Sequence, residues 1–351
     1  MLKAMVLAAG KGTRLFPLTG EVPKPLATVA NVPIIGHIFE LLTTHGIGEA
    51  YVNVHYLADA LLKACGEEAC INGMGVRLSR EERLMGTAGG VKRLAEHFDE
   101  TFVVVSGDAL TDIDLKDLVA FHEEKGALAT MALKGVHDTS GFGVVEVDEG
   151  GNVLSFQEKP DPKEAISTLA NTGIYVLEPR ALEYIPENTF FDFAKDVFPR
   201  LLEAKERLVG YRGDFYWSDV GTLGAYRRAQ HDVLSGKVRV KVPGRQRGEG
   251  VWVGENVRID PTVRIEGHAV VGRDAVIGRN VLLSGPVAVG SDCWIHPSAT
   301  LSSCVLLPGA SVGRDAHLED CVVGQGYNVR TGERIGGAVL VRRPPPRKPP
   351  P

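Results

Sequence analysis

The sequence predicts an α/β fold, a doubly wound and mostly parallel sheet, followed by a parallel β-helix. Three observations carry that prediction. Short apolar runs alternate with helical patterns over residues 1 to about 235. From about residue 250 an aliphatic residue recurs at every sixth position. A glycine-bearing segment, Gly10-Lys11-Gly12-Thr13-Arg14, follows directly on the first apolar run.

In the first part, strands are predicted at Met5–Ala8, Tyr51–Val54, Val76–Leu78, Phe102–Val105, Ala129–Leu133 and Ile174–Leu177. Helices separate them. One carries Ile34, Ile35, Ile38, Leu41 and Leu42 and is closed by Gly46; another runs from the N-cap Asp114 through Leu115, Leu118, Val119 and Phe121 to Gly126. A third starts after Asp192 and carries Phe193, Val197, Phe198, Leu201 and Leu202. A hairpin joins Val144–Val147 to Val153–Phe156 through Asp148-Glu149-Gly150-Gly151-Asn152. Strand–helix alternation places ligands at the carboxyl ends of the strands.

In the second part, Val253, Ile259, Ile265, Val271, Ile277, Leu283, Val289, Ile295, Leu301 and Leu307 mark the hexads. Four positions after each stands Val257, Val263, Ala269, Ala275, Val281, Val287, Cys293, Ala299, Val305 or Ser311. The phase then slips by one to Val312 and Leu318, and again at Val323. Three hexads per coil give about four coils. The boundaries expected are residues 1–236, a linker at 237–250 with Pro243, Gly244, Gly248 and Gly250, the β-helix at 251–340, and a Pro-rich tail at 341–351 that is extended and solvated.

Bulk properties narrow the function. The chain has 351 residues, 44% hydrophobic and 24% charged, as in ordinary globular proteins. A net charge of −5 argues against a nucleic-acid partner. The apolar run at the N-terminus is too short for a signal peptide, and no apolar window is long enough to span a membrane. The five cysteines, Cys65, Cys70, Cys293, Cys304 and Cys321, form no C-x-x-C pair, so reduced thiols in a cytoplasmic protein are expected rather than a zinc site.

The chemistry-bearing segments lie where strands end. Gly10 and Gly12 allow positive φ and close backbone approach, and their amides with Arg14 and Lys24 (flanked by Pro23 and Pro25) suit a triphosphate. The segment is neither G-x-G-x-x-G nor a P-loop. Asp108 in Ser106-Gly107-Asp108 is either a turn aspartate or a ligand for a hard cation shared with substrate phosphates. Asp219, in Trp217-Ser218-Asp219-Val220-Gly221-Thr222, is either a helix-entry cap or a second ligand. Glu158-Lys159-Pro160 is either a surface turn or a site for a sugar phosphate, with Lys159 on the phosphate and Glu158 on hydroxyls. Asn171 can donate and accept toward a hydroxyl. His296 invites comparison with a catalytic histidine, but a lone histidine on a β-helix turn is ordinarily a surface residue.

The order G-x-G-T-R-L-x-P-L-T…P-K-P, G-D, E-K-P, N-x-G and W-x-D-V-G-T resembles the sugar-1-phosphate nucleotidylyltransferases, in particular the mannose-1-phosphate guanylyltransferase type. The hexads resemble the left-handed hexapeptide-repeat helix. The resemblance implies a Rossmann-like catalytic domain that joins a nucleoside triphosphate to a sugar 1-phosphate and releases pyrophosphate. It implies nucleotide contacts from Leu7, Ala8, Ala9, Gly10, Gly12, Thr13, Gly86, Thr87 and Asp108, and catalytic roles for Arg14 and Lys24. It further implies Mg²⁺ on Asp108 and Asp219, and a sugar-phosphate pocket of Gly143, Glu158, Lys159 and Asn171. Gly86-Thr87-Ala88-Gly89 is more typical of guanylyl transfer, so GTP and mannose 1-phosphate are the expected pair. Glucose 1-phosphate with UTP or dTTP comes second, a heptose phosphate third; a non-catalytic subunit that senses a nucleotide sugar is the alternative of another class. A homo-oligomer formed through the β-helix is expected.

Overall fold

The computed structural model describes residues 1–342; most of the Pro-rich tail, from residue 343 on, lies outside the described residues. The chain forms two compact units: Met1–Lys11 with Ile38–Asp219, and Gly12–His37 with the described residues from Val220 on.

The first unit is built on a 10-stranded sheet. Its centre is parallel. Lys3–Leu7 lies between Phe102–Ser106 and Glu49–Val54, and Met74–Arg80 follows on the far side of Glu49–Val54. The chain thus leaves its first strand toward one side and later returns to the other, which opens a crevice at the carboxyl end of Lys3–Leu7. These central strands are apolar because both faces are covered: Val103, Val104 and Val105 are fully buried. Antiparallel strands extend the sheet. Leu169–Leu177 pairs with Phe102–Ser106 and with Ala129–Gly135, and the hairpin of Gly143–Val147 and Val153–Glu158 lies beyond it. Glu68–Ile71 and Leu208–Arg212, which have no clear apolar signature, add two further strands.

Helix ends follow their caps. Asp114 accepts hydrogen bonds from the amides of Lys116 and Asp117, and Gly126 closes that helix in the left-handed region. The helix expected after Asp192 differs: it opens as a π turn, Phe193–Val197, and becomes α only over Phe198–Glu203. Asp192 caps it by accepting from Ala194 N, and the wider turn keeps Phe193 and Phe198 buried together, their rings 5.7 Å apart.

The second unit is a left-handed β-helix together with the helix Leu223–Leu234 and the segment Gly12–His37. Three parallel sheets form its sides, two of 5 strands and one of 7, the last including the antiparallel Arg245–Gln246. Five complete coils result among the described residues, one more than the repeat count suggested. Val253, Val271 and Val289 stack at 18-residue spacing, but Val289, Leu306, Val323 and Leu340 stack at 17-residue spacing. One residue is therefore lost at the corner after Leu301, before the slip assigned from the hexads. The positions facing the core there are Leu306, Cys304 and Ala310, all fully buried, rather than Leu307, Val305 and Ser311. The tight hairpin of Thr28–Val29 and Val32–Pro33 turns through Ala30 and Asn31, both at positive φ. Tyr226 and Gln230 of the helix donate to the carbonyl of Thr28, and Asn31 donates to Val289 O at 2.8 Å.

Candidate active site

At the carboxyl end of the first strand a cavity of about 250 Å³ is lined by Leu7, Ala9, Gly10, Gly86, Thr87, Ser106 and Asp108, together with Asn53, Leu84, Gly173, Tyr175, Phe190 and Asp192. Six of the nucleotide residues expected from sequence thus meet in one place. The sheet explains how. Ala8 N donates to the side-chain oxygen of Asn53 on the neighbouring strand (2.9 Å), which fixes the turn that follows. A Cβ built on Gly10 meets no atom within 4 Å, so glycine there leaves the backbone open to the cavity rather than relieving a clash. Gly107 is the reverse case: its Cβ would lie 3.0 Å from Val6 and 3.1 Å from Leu7 O. That close approach, with Gly107 N donating to Leu7 O at 2.9 Å, holds Asp108 beside the loop.

Asp108 accepts from Ser106 Oγ at 2.5 Å. Asp219 closes the short strand Trp217–Asp219, which is antiparallel to Ala109–Thr111, and its register partner is Ala109. Asp108, in the turn just before Ala109, is therefore one residue along the chain from the register partner of Asp219. No group of three or more His, Cys, Asp or Glu that would suit a metal occurs among the described residues. Two carboxylates without a third fit a Mg²⁺-like ion, which keeps open positions for water and phosphate oxygen.

The glycine-rich segment Gly86–Lys92 proves to be a packing device as well as a cavity wall. A Cβ on Gly86 would stand 2.3 Å from Phe191 O, and one on Gly89 2.5 Å from Thr189 O. The amides of Ala88 and Gly89 both donate to Phe191 O, so they are engaged within the protein. Thr87 Oγ1 donates to Asp192 (2.9 Å) and accepts from Phe193 N. Behind it, Asn53 donates to Glu81 (2.8 Å), whose other oxygen accepts from Met85 N; both side chains are buried. Asn53, Glu81, Tyr175 and Asp192 are the residues that sequence reasoning missed. Asn53 had a signal: it is the one amide in an otherwise apolar strand end.

Of the four residues expected at the sugar phosphate, Gly143, Glu158 and Asn171 lie on adjoining strands, and Lys159 follows directly on the strand of Glu158. Gly143 pairs with Glu158, and a Cβ on it would lie 2.9 Å from the Glu158 carboxylate. Lys159 stands at positive φ, its ammonium 3.4 Å from Glu158. Asn171 accepts from Gly173 N and donates to Tyr175 OH at 3.0 Å. Burial pushes the Tyr175 phenol well above its ordinary pKa, so it stays protonated.

The remaining predicted residues belong to the other compact unit. Gly12 sits in the left-handed region, and a Cβ on it would lie 2.9 Å from Lys24 Cβ. Thr19 Oγ1 donates to Gly12 O. Thr13 and Arg14 open a short 3₁₀ turn and are exposed, whereas Lys24 is 4% exposed between its prolines.

A crevice at the strand ends with an open glycine loop beside it suits a phosphorylated ligand. Comparison with known proteins identifies which. The nucleotidyl transferase family profile matches residues 3–236, the bacterial transferase hexapeptide (six repeats) profile residues 250–285, and the GlmU-like, C-terminal hexapeptide profile residues 285–339. A UTP–glucose-1-phosphate uridylyltransferase of Synechocystis is 37% identical over 97% of this chain and 91% of its own length. A mannose-1-phosphate guanylyltransferase of Mycobacterium tuberculosis is 33% identical over 66% of this chain and 65% of its own. The crystal structure of HddC from Yersinia pseudotuberculosis complexed with GMP-PN shares the fold, with a TM-score of 0.57 at 22% identity over 66% of this chain and all of that one. The chain belongs to the nucleotidyl transferase family, as a sugar-1-phosphate nucleotidylyltransferase domain followed by hexapeptide repeats. Enzymes of this family typically use a divalent metal. No helix among the described residues is long and apolar enough to cross a membrane.

Proposed function

We propose that this enzyme forms a nucleotide sugar and pyrophosphate from GTP and mannose 1-phosphate. What supports it most is the single cavity lined by Leu7, Ala9, Gly10, Gly86, Thr87 and Asp108. The guanylyl assignment draws on Gly86-Thr87-Ala88-Gly89 and on the mycobacterial relative. A second reading, UTP with glucose 1-phosphate, draws on the cyanobacterial relative that matches nearly the whole chain.

In the proposed reaction a phosphate oxygen of the sugar phosphate attacks the α-phosphorus in line, and pyrophosphate leaves. The protein forms no covalent bond, so its contribution is positioning and charge neutralisation. Backbone from Leu7 to Gly10, with Gly12 and Thr13, cradles the triphosphate. Arg14 neutralises the leaving pyrophosphate, and Lys24 stabilises the α-phosphate. Lys159 holds the incoming phosphate, while Glu158, Asn171 and the backbone of Gly143 orient the sugar. Asp108 and Asp219 would hold Mg²⁺, which when bound supplies Lewis-acid charge to the phosphates.

We assign residues 1–236 to catalysis, 237–250 to the linker, 251–340 to the β-helix and 341–351 to the tail. The β-helix carries a homo-oligomer, measurable by light scattering. Three buried cysteines outside any disulfide, Cys293, Cys304 and Cys321, support a cytoplasmic setting. The test is pyrophosphate release with Mg²⁺ from GTP, UTP, dTTP, ATP and CTP, each against mannose 1-phosphate and glucose 1-phosphate. GTP with mannose 1-phosphate is expected to dominate. Dominance of UTP with glucose 1-phosphate transfers the assignment to the second reading, and silence across the grid from folded protein removes both.

A further inference from the structure

The register between Leu169–Leu177 and Ala129–Gly135 breaks at the sugar side of the site. Asn171 pairs with Leu133 and Tyr175 with Met131, so Thr172, Gly173 and Ile174 together face Ala132 alone. Such a bulge interrupts the ladder and re-aims the chain. Its polar groups then need other partners. Thr172 Oγ1 donates to Ala132 O at 2.7 Å, and Gly173 N donates to the Asn171 side chain. The carbonyl of Thr172 accepts from the indole Nε1 of Trp217 at 3.0 Å.

The same indole packs edge-on against Phe142, ring centres 5.1 Å apart. Phe142 precedes Gly143, and its carbonyl accepts from Lys159 N at 3.1 Å, where Lys159 takes a positive φ. Trp217 is also two residues before Asp219 on the short strand beside Ala109. One side chain therefore touches the bulge that carries Asn171 and the loop that carries Gly143 and Lys159, while its backbone leads to a carboxylate. The rest of its segment is secured independently. Thr111 Oγ1 donates to Tyr216 O at 2.8 Å, Tyr216 N donates to Asp112, and Lys134 Nζ donates to Phe215 O.

We propose that Trp217 is a positioning residue that sets the sugar-phosphate pocket against the strand of Asp219, by clamping the bulge through Thr172 O and the Gly143–Lys159 loop through Phe142. This rests on the assignment of Asn171 and Lys159 to the sugar phosphate. Trp217→Phe keeps an aromatic ring and deletes the donor; Phe142→Leu deletes the ring contact and keeps the carbonyl.

The experiment is steady-state kinetics with each substrate varied in turn, beside thermal melts, for these two variants and for Asn171→Ala and Lys159→Ala. Loss of one half-buried hydrogen bond predicts a roughly five- to tenfold rise in KM for the sugar 1-phosphate in Trp217→Phe, with KM for the nucleotide within about twofold of wild type. Phe142→Leu moves the same constant in the same direction. Equal shifts in both KM values, or a lower melting temperature with neither KM changed, overturn the proposal and leave Trp217 a packing residue. If Asn171→Ala and Lys159→Ala both leave the sugar-phosphate KM unchanged, the pocket assignment itself fails and takes the proposal with it. If they raise it while Trp217→Phe does not, only the clamp fails.

Discussion

The β-helix and the α/β unit bury their cores by opposite means. In the β-helix each stacked residue repeats the environment of the one a coil away: Val271, Val289, Leu306 and Val323 occupy one column and are all fully buried or nearly so. In the α/β unit every cavity residue is unique. Asn53, Asp108, Tyr175 and Asp192 come from four distant stretches and meet only because sheet order brings them there. A repeated contact tolerates a local defect, such as the residue lost after Leu301, by shifting the whole column. A unique constellation has no second copy to average over.

The largest effects are expected at the residues proposed to act on the phosphates. Asp108→Asn and Lys24→Ala should each lower kcat by about a hundredfold or more. Turnover near wild type in either would remove the role assigned to that residue.

Next comes the column itself. Leu306→Ala should cost about 2–5 kcal/mol in urea unfolding, as for a buried leucine. A cost under about 1 kcal/mol would mean that Leu306 does not face the core and that the 17-residue phase is misplaced.

The glycine contrast sharpens the comparison inside the α/β unit. Gly86 and Gly46 both have positive φ, but a Cβ on Gly86 meets Phe191 O at 2.3 Å whereas one on Gly46 meets nothing within 4 Å. Gly86→Ala should destabilise by about 3 kcal/mol or more through backbone displacement, Gly46→Ala by only about 1–2 kcal/mol from the left-handed conformation. Similar losses would show that Phe191 yields.

The smallest effect is chemical. Burial pushes the Cys293 thiol up to about 12, and Cys70 is exposed. Because the thiolate is the nucleophile, iodoacetamide at pH 8 should label Cys70 and spare Cys293 in the native protein. Labelling of Cys293 at a comparable rate would mean that the coil opens locally.

Much of the fold is legible along the chain. The caps Asp114 and Gly126, the strand runs and the hexads all act over a few residues, where spacing and chemistry are visible together. The loop Leu7–Gly10 and the pair Asp108 and Asp219 were legible as strand-end motifs. Glu68–Ile71 was not, because an edge strand with one partner needs no apolar face. The π turn at Phe193 was not, because its spacing matches an ordinary helix to within one residue. Gly86 is read for a ligand and does line the cavity, but its close approach to Phe191, like that of Gly89 to Thr189, joins segments about a hundred residues apart.

The sequence by itself determined the α/β class, the β-helix and the family of chemistry, because periodicity and strand-end motifs are local properties. Only the tertiary structure decided that Asn53 anchors the loop after the first strand, that Asp192 holds Thr87, and that Trp217 meets a bulge at Thr172. Those contacts join segments far apart in the chain, and they follow from sheet order and register, which no short stretch of residues encodes.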